Sequence, residues 1–299
     1  MEEPTFNELI KTYMNAATAE RIKCGKPSER TVTNVVRSIR RLLKDCHLPR
    51  TRKIGELTRQ KLDAFLVEKI KSGIEPISAR AYMEALGAIT PRWARRYYLD
   101  AGLDVHPFEA PVVHVPPRRY MRPSKNVLKA VRDWYATLPI REDLQVWLCA
   151  TMMLEFAMRN GDIARLSWRN FIEKEGVRYL YYTPNKTALS SGRFVCWPVH
   201  DEIWRMIERL KECGVVGSDK LLPRAAYWLR KINRELRELG FSGGKASYEL
   251  RKICIDHVYQ KFGAEMASSI SGDDIRTVTR YYADPSAVNV TGVRIVDLL

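Results

Sequence analysis

Paired cysteines, long apolar runs and nucleotide-binding loops are all missing from this chain, and each absence removes a class of protein. The six cysteines, at 24, 46, 149, 196, 213 and 254, are scattered and contain no CxxC. That distribution fits reduced thiols in a cytosolic protein better than a disulfide frame or a zinc site. No run of about twenty apolar residues occurs, so no membrane-spanning helix is expected. Met1-Glu-Glu-Pro-Thr5 is acidic and has no apolar core, unlike a signal peptide. There is no P-loop, no HExxH and no paired-carboxylate metal motif, no internal repeat and no low-complexity segment. Negative charge is also short: 35 Asp and Glu stand against 50 Lys and Arg, a formal net charge of +15.

The positive excess is spread along the chain. Residues 1–122 hold 23 Lys and Arg against 14 Asp and Glu, and residues 123–299 hold 27 against 21. Both halves are therefore basic, which a basic tail on a neutral enzyme would not produce. The expected partner is a polyanion, with nucleic acid the commonest. Charge alone does not separate DNA from RNA or from an anionic membrane surface. At 299 residues the natural expectation is two domains.

Residues 1–105 read as a helical domain. Thr5-Phe-Asn-Glu8 is a capping box, and Phe6, Leu9, Ile10, Tyr13, Met14 and Ala17 follow at helical spacing. A second helix starts at Ser28 or Thr31 and runs through Val32, Val35, Val36, Ile39, Leu42 and Leu43. Its opposite face carries Arg37, Arg40, Arg41 and Lys44. A solvated face normally mixes signs to form i,i+4 pairs; this one has a single sign and is a candidate DNA contact. A third helix spans about Thr58 to Lys71, with Leu62, Phe65, Leu66 and Ile70 inward. A fourth helical region runs from Ile77 to about Leu99, kinked or split at Pro91, and ends in Arg92, Arg95 and Arg96 beside Trp93, Tyr97 and Tyr98. Residues 106–122 contain four prolines and no helical period, which reads as a semi-rigid linker whose Arg118, Arg119 and Arg122 suit a phosphate backbone.

From residue 123 the pattern changes. Helices are expected at Ser124 to about Thr137, about Asp143 to Phe156, and Asp162 to Trp168. The period then switches to alternation, predicting strands at Val177–Tyr182 and Arg193–Val199 joined by a turn that carries Lys186. Further helices are expected at about 201–212, 224–239 and Ser247 to Gln260. The overall class is mostly α with a small β-sheet, an all-α N-terminal domain preceding an α+β domain. Residues 286–299 are too apolar for a free end and either pack on their own domain or dock on a neighbouring protomer.

Three features of the second domain carry chemistry. Arg159 closes an apolar helix and Arg251 sits in a helix whose Leu250, Ile253, Cys254 and Val258 face a core. A guanidinium beside a buried face is costly unless an anion meets it, Asp162 being the ordinary candidate for Arg159. Thr277-Val-Thr-Arg-Tyr-Tyr-Ala-Asp-Pro285 ends a short amphipathic run with two tyrosines. These read either as a core aromatic with its half-exposed neighbour or as a phenol nucleophile.

Taken together, these residues resemble the tyrosine recombinases, the phage-integrase family of DNA breaking and joining enzymes. Arg159, Asp162, Ile163, Leu166 and Trp168 match the first family box. Lys186-Thr187 matches its hairpin lysine, Tyr248-Glu-Leu-Arg251 its second box with Tyr in place of His, and Gly272 to Pro285 its terminal box. The resemblance covers roughly 123–285, the catalytic domain; the N-terminal part matches the family's core-binding domain only in character. It implies that Arg159 and Arg251 clamp one phosphate through charge-assisted bonds. Lys186 would protonate the departing 5′ oxygen, Tyr248 would replace the assisting histidine, and a tyrosine would form a 3′-phosphotyrosine. Tyr282, followed by Ala-Asp-Pro, fits the family pattern better than Tyr281. No metal and no cofactor are implied.

The implied protein is a site-specific recombinase of a prokaryote, virus or mobile element, acting in the cytoplasm. It would bind double-stranded DNA at inverted half-sites as a homodimer and form a homotetramer in synapsis. One departure stands out: Gly272 occupies the place where His or Trp commonly bonds the scissile phosphate, and a lost donor costs about 3 kcal/mol. Lys252, His257 and Asp273 are candidates to replace it. The departure keeps two alternatives open, a DNA-binding relative without catalysis and a type IB-like topoisomerase.

Overall fold

The computed structural model describes residues 4–89, 113–114, 120–140, 143–186, 188, 192–213, 220–242 and 245–282. The chain divides into two units, Met1–Pro117 and Arg118–Leu299.

The first unit is built from α1 (Phe6–Cys24), α2 (Glu29–Asp45), a 3-10 turn (Ile54–Glu56), α3 (Arg59–Lys71) and α4 (Pro76–Ile89). Its helix starts follow from side chains. Thr5 accepts from the Glu8 amide while Glu8 reaches back to the Thr5 amide at 2.7 Å, and Ser28 and Thr58 cap α2 and α3. Each cap satisfies donors that the first helical turn leaves unpaired. Phe6, Leu9, Ile39, Leu42, Leu43, Ile54, Leu57, Leu62, Leu86 and Ile89 form the core. One expectation fails here: Ile70 is 54% exposed. Lys69 takes the place one turn after Phe65, covering its ring while its ammonium pairs with Asp45 at 2.9 Å. The long stem packs and the head stays wet, so Ile70 is turned outward.

The second unit contains α5 (Lys125–Thr137), α6 (Leu144–Leu154), α7 (Asn160–Ile163), a 3-10 turn (Trp168–Asn170), β1 (Phe171–Lys174), β2 (Val177–Tyr182), β3 (Val195–Pro198), α8 (Asp201–Glu212), α9 (Ala225–Glu238), α10 (Ser247–Ser271) and α11 (Ile275–Tyr281). The sheet is antiparallel in the order β1-β2-β3. Strand β1 was not expected. It pairs Lys174 with Val177 across a two-residue turn in which Glu175 and Gly176 both have positive φ. Glu-Gly is a weaker hairpin signal than Asn-Gly, and Phe-Ile-Glu-Lys is too short to show alternation. The helix expected over Asp162–Trp168 is the single turn α7 followed by the separate 3-10 turn.

Helix α6 is the most enclosed, with Leu144 and Val146 to Met153 buried, and it packs on α9 and α10. Being apolar on every side, it has to be surrounded. Helix α10 is broken at Gly263, where φ is +84°. A second apolar cluster joins α10 to α11 through Ala157, Cys254, Ile255, Val258, Ala267, Ile270, Val278 and Tyr282. Among the described residues no helix is long and apolar enough to cross a membrane, and the six cysteines are free thiols.

Candidate active site

The turn between α6 and α7 delivers Arg159. Ala157, fully buried, takes a left-handed backbone at φ 49°, and the Met158 amide donates to the Met152 carbonyl at 2.8 Å. Arg159 then becomes extended, and its carbonyl accepts from the Asp162 and Ile163 amides at 2.9 and 3.0 Å. A buried, non-glycine residue in the left-handed region is a costly conformation that surrounding packing has to enforce. Here it reverses the chain so that the Arg159 side chain faces α10.

Arg251 is set by the start of α10. The Ser247 amide donates to Asn233 Oδ1 at 2.8 Å, and Asn160 Nδ2 donates to Ser247 Oγ at 3.3 Å, which ties α10 to both α9 and α7. Leu250 and Cys254 anchor the same face in apolar surroundings, and Arg251 itself is 0% exposed. Burial disfavours its charge, but Asp273 and the nearby phenols favour it more, so its pKa lies above the ordinary arginine value.

Asp273 joins the two cations. Its Oδ2 accepts from Arg251 Nη2 at 2.5 Å and its Oδ1 accepts from Arg159 Nη2. Arg251 Nη2 also donates to the Ser271 carbonyl at 3.2 Å. Asp162, the partner expected for Arg159, is the weaker one, 3.8 Å from Nη1. Gly272 explains how Asp273 gets there. Its φ of +63° caps α10, and a Cβ at this position would lie 2.7 Å from Pro184 Cγ and 3.2 Å from Val195 Cγ2. Only glycine fits, and the next residue supplies the side chain that faces the guanidiniums. The sequence offered Asp273 as one of three candidates to replace a missing donor, but not its bridge between the arginines, because that contact depends on a chain reversal at Gly272.

Tyr282 completes the cluster. Its hydroxyl lies 2.7 Å from the Tyr248 hydroxyl, and the Arg251 guanidinium carbon sits 5.6 Å from its ring centroid. Tyr282 is 7% exposed whereas Tyr281 is 45% exposed. Burial raises the Tyr282 pKa, Arg251 opposes this, and Asp273 and Tyr248 add to the rise. Several polar atoms here are buried without a hydrogen-bond partner among the described residues: Arg159 Nη1, Arg251 Nε and Nη1, and Tyr182 Oη. Unmet guanidinium donors are costly in a folded chain and mark a place that can take an anion.

The other expected residues are exposed, ion-paired or outside the described residues. Lys186 is exposed on the turn after β2, and no described residue partners its ammonium. Its neighbour Asn185 donates its amide to Asp162 Oδ1 at 3.0 Å, which moors that turn beside α7. Arg37, Arg40, Arg41 and Lys44 are exposed on α2 without an ion pair to any described residue. Arg122, expected to suit a phosphate backbone, is one-third exposed and donates Nε to Asp256 at 2.6 Å. Arg92, Arg95, Arg96, Arg118, Arg119, Thr187 and the 286–299 tail lie outside the described residues. Lys252 is held by Glu249 at 2.7 Å, and His257 is exposed on the rim of a cavity of about 610 Å³ lined by Tyr120, Trp197 and Ile253.

No family model matches the chain. It is similar to a Haemophilus influenzae protein provisionally named an integrase/recombinase, with 22% identity over 95% of this chain and 88% of that one. Among solved structures it is similar to a lambda integrase tetramer bound to a Holliday junction, with 16% identity, a TM-score of 0.71, and coverage of 98% of this chain and 81% of that chain. The XerH site-specific recombinase bound to difH substrate gives 13% identity and a TM-score of 0.59 over 97% of this chain and 85% of that chain. The Tn1549 transposon integrase in complex with a circular intermediate DNA gives 10% identity and a TM-score of 0.61 over 97% of this chain and 99% of that chain. The chain has the fold of the tyrosine recombinases.

Proposed function

We propose that this protein is a site-specific DNA recombinase that cuts and rejoins duplex DNA through a 3′-phosphotyrosine. One observation carries the reading: two guanidiniums from elements far apart in sequence, Arg251 fully buried and Arg159 largely so, converge on a single anion beside the ring of a buried tyrosine. Arg159 and Arg251 would hold the non-bridging oxygens of the scissile phosphate and offset the charge that grows as phosphorus becomes five-coordinate. Tyr282 Oη forms a bond to phosphorus as the bond to the 5′ oxygen breaks. Its own proton leaves toward Tyr248, whose hydroxyl orients the attacking oxygen and passes a proton on to water. Lys186 donates a proton to the departing 5′ oxygen. The bond energy stays in the phosphotyrosine, and attack by another 5′ hydroxyl reverses the step and joins the strands.

The structures that share this fold include dimers and tetramers on DNA. By that likeness two protomers would occupy inverted half-sites, and two such pairs would form the synaptic tetramer. The exposed single-sign face of α2 would contact the duplex, with the 286–299 tail linking protomers. The working compartment would be the cytoplasm.

The test is incubation with a nicked duplex, drawn from DNA flanking the gene, followed by a denaturing gel. Wild type is expected to form a covalent adduct and Tyr282→Phe to lose it entirely. Salt-sensitive duplex binding with no adduct from wild type would favour the DNA-binding relative without catalysis, and relaxation of supercoils without site preference would favour the topoisomerase.

A further inference from the structure

Asp273 has no part in the strand-transfer steps above, yet it makes the best contacts in the site. We infer that Asp273 is an internal stand-in for the phosphate: its carboxylate holds Arg159 and Arg251 at the spacing that two phosphate oxygens require, and gives up that position when a phosphodiester arrives. The inference rests on the proposed role of the arginine pair as a phosphate clamp.

Three observations carry it. First, the two carboxylate oxygens are divided between the two guanidiniums, one to Arg159 and one to Arg251, which is how two non-bridging phosphate oxygens would be shared. Second, both guanidiniums already have carboxylate partners. Arg159 faces Asp162 and Asp273 and Arg251 faces Asp273, so a phosphodiester entering beside Asp273 would compete with its carboxylate for the same two guanidiniums. Third, the carboxylate leaves the seat underfilled, because Arg159 Nη1, 3.8 Å from Asp162, and Arg251 Nε and Nη1 stay buried without a hydrogen bond among the described residues. An anion with more oxygens would meet donors that Asp273 cannot reach.

The main chain of Asp273 is fastened while its carboxylate is not otherwise held. Its carbonyl accepts from Ser268 Oγ at 2.6 Å and from Arg193 Nη1 at 3.1 Å, and its amide donates to Ser271 Oγ at 3.2 Å. Gly272 is clamped against Pro184 and Val195. Exchange therefore proceeds by rotation of the Asp273 side chain, with the backbone fixed. The stand-in also accounts for how the free chain keeps Arg251 buried. Without it, a fully buried Arg251 would have no counter-charge, a cost that folding rarely tolerates.

The experiment is titration of the full-length protein with inorganic phosphate at constant ionic strength. Asp273→Asn keeps the shape and removes the charge. It should bind phosphate at least about tenfold tighter than wild type, the effect of freeing two charge-assisted donors. Adding Arg251→Gln should cancel the gain. Equal or weaker binding by Asp273→Asn overturns the stand-in, since a purely structural aspartate would lose affinity when altered. If Asp273→Asn does not fold, wild type crystallised with orthovanadate decides. A carboxylate rotated off both guanidiniums with vanadate between them supports the inference; a carboxylate still bridging them overturns it. The outcome is separable from that of the nicked-duplex assay. Tighter phosphate binding with no wild-type adduct keeps the stand-in and removes strand transfer. A wild-type adduct with unchanged phosphate affinity does the reverse.

Discussion

Within the described residues of the N-terminal unit every buried side chain is apolar or aromatic, and the charged groups stay at the surface. The C-terminal unit buries Thr151, Asp162, Ser247, Arg251, Asp256, Ser271 and Asp273 as well as its apolar core. Both units bury an apolar core between packed helices, and that packing does not require the difference. Moving charges out of water costs several kcal/mol per ion even when they are paired, and an apolar replacement is often as stable. The contrast teaches that the second unit has a polar interior that packing alone does not demand, whereas the first keeps its charges, Arg37, Arg40, Arg41 and Lys44 among them, on the outside.

The comparison breaks most sharply at Arg251. Arg251→Met should destabilise the protein by about 3 kcal/mol or more, because Asp273 keeps only Arg159 in a dry site. The double change Arg251→Met with Asp273→Leu should recover most of that loss in chemical denaturation while forming no DNA adduct. If the double variant remains as unstable as the single one, the buried pair is there for stability and the contrast fails. In the other unit, Ile39→Ala opens a cavity in a core with no buried charges and should cost about 2–4 kcal/mol. That loss should lower DNA affinity only through unfolding, measured as an unchanged salt dependence in the folded fraction.

A smaller effect is expected at Gly272. Gly272→Ala forces a side chain into a left-handed position against Pro184 and should cost about 1–3 kcal/mol. It should also slow adduct formation more than that loss explains, because Asp273 and α11 both follow it in the chain. The smallest change in stability, within about 0.5 kcal/mol, is expected for Arg40→Gln with Arg41→Gln on the exposed face of α2. The same pair should reduce the slope of log affinity against log salt by about one per lost phosphate contact. An unchanged slope would remove α2 from the DNA-binding surface.

How much of this was legible in the sequence differs between the same two regions. The helices of the first unit were readable because Thr5, Ser28 and Thr58 announce their starts and the apolar residues keep a period of 3.6. Ile70 was misplaced because Lys69 can lay an apolar stem across Phe65, which a hydrophobic pattern does not register. In the second unit, Arg159, Arg251, Tyr248 and Tyr282 were named from the sequence, and the fold brings them together. Asp273 was named only as one of three candidates to replace a donor, and its bridge between the arginines stayed hidden for a physical reason: an aspartate after a glycine at a helix end is usually a solvent-facing cap. Its role depends on a left-handed turn at Gly272 and on two arginines more than twenty residues away in sequence. Strand β1 escaped because its turn residues, Glu175 and Gly176, are a weak hairpin signal.

The central claim is that Arg159, Arg251 and Tyr282 surround one phosphodiester. Peptide mapping of the protein after trapping on a nicked duplex tests it most directly. The account predicts a single peptide carrying a 3′-linked nucleotide on Tyr282, absent when either arginine is replaced by glutamine. A linkage on Tyr281 or any other side chain, or an undiminished linkage in the Arg251→Gln protein, would contradict it.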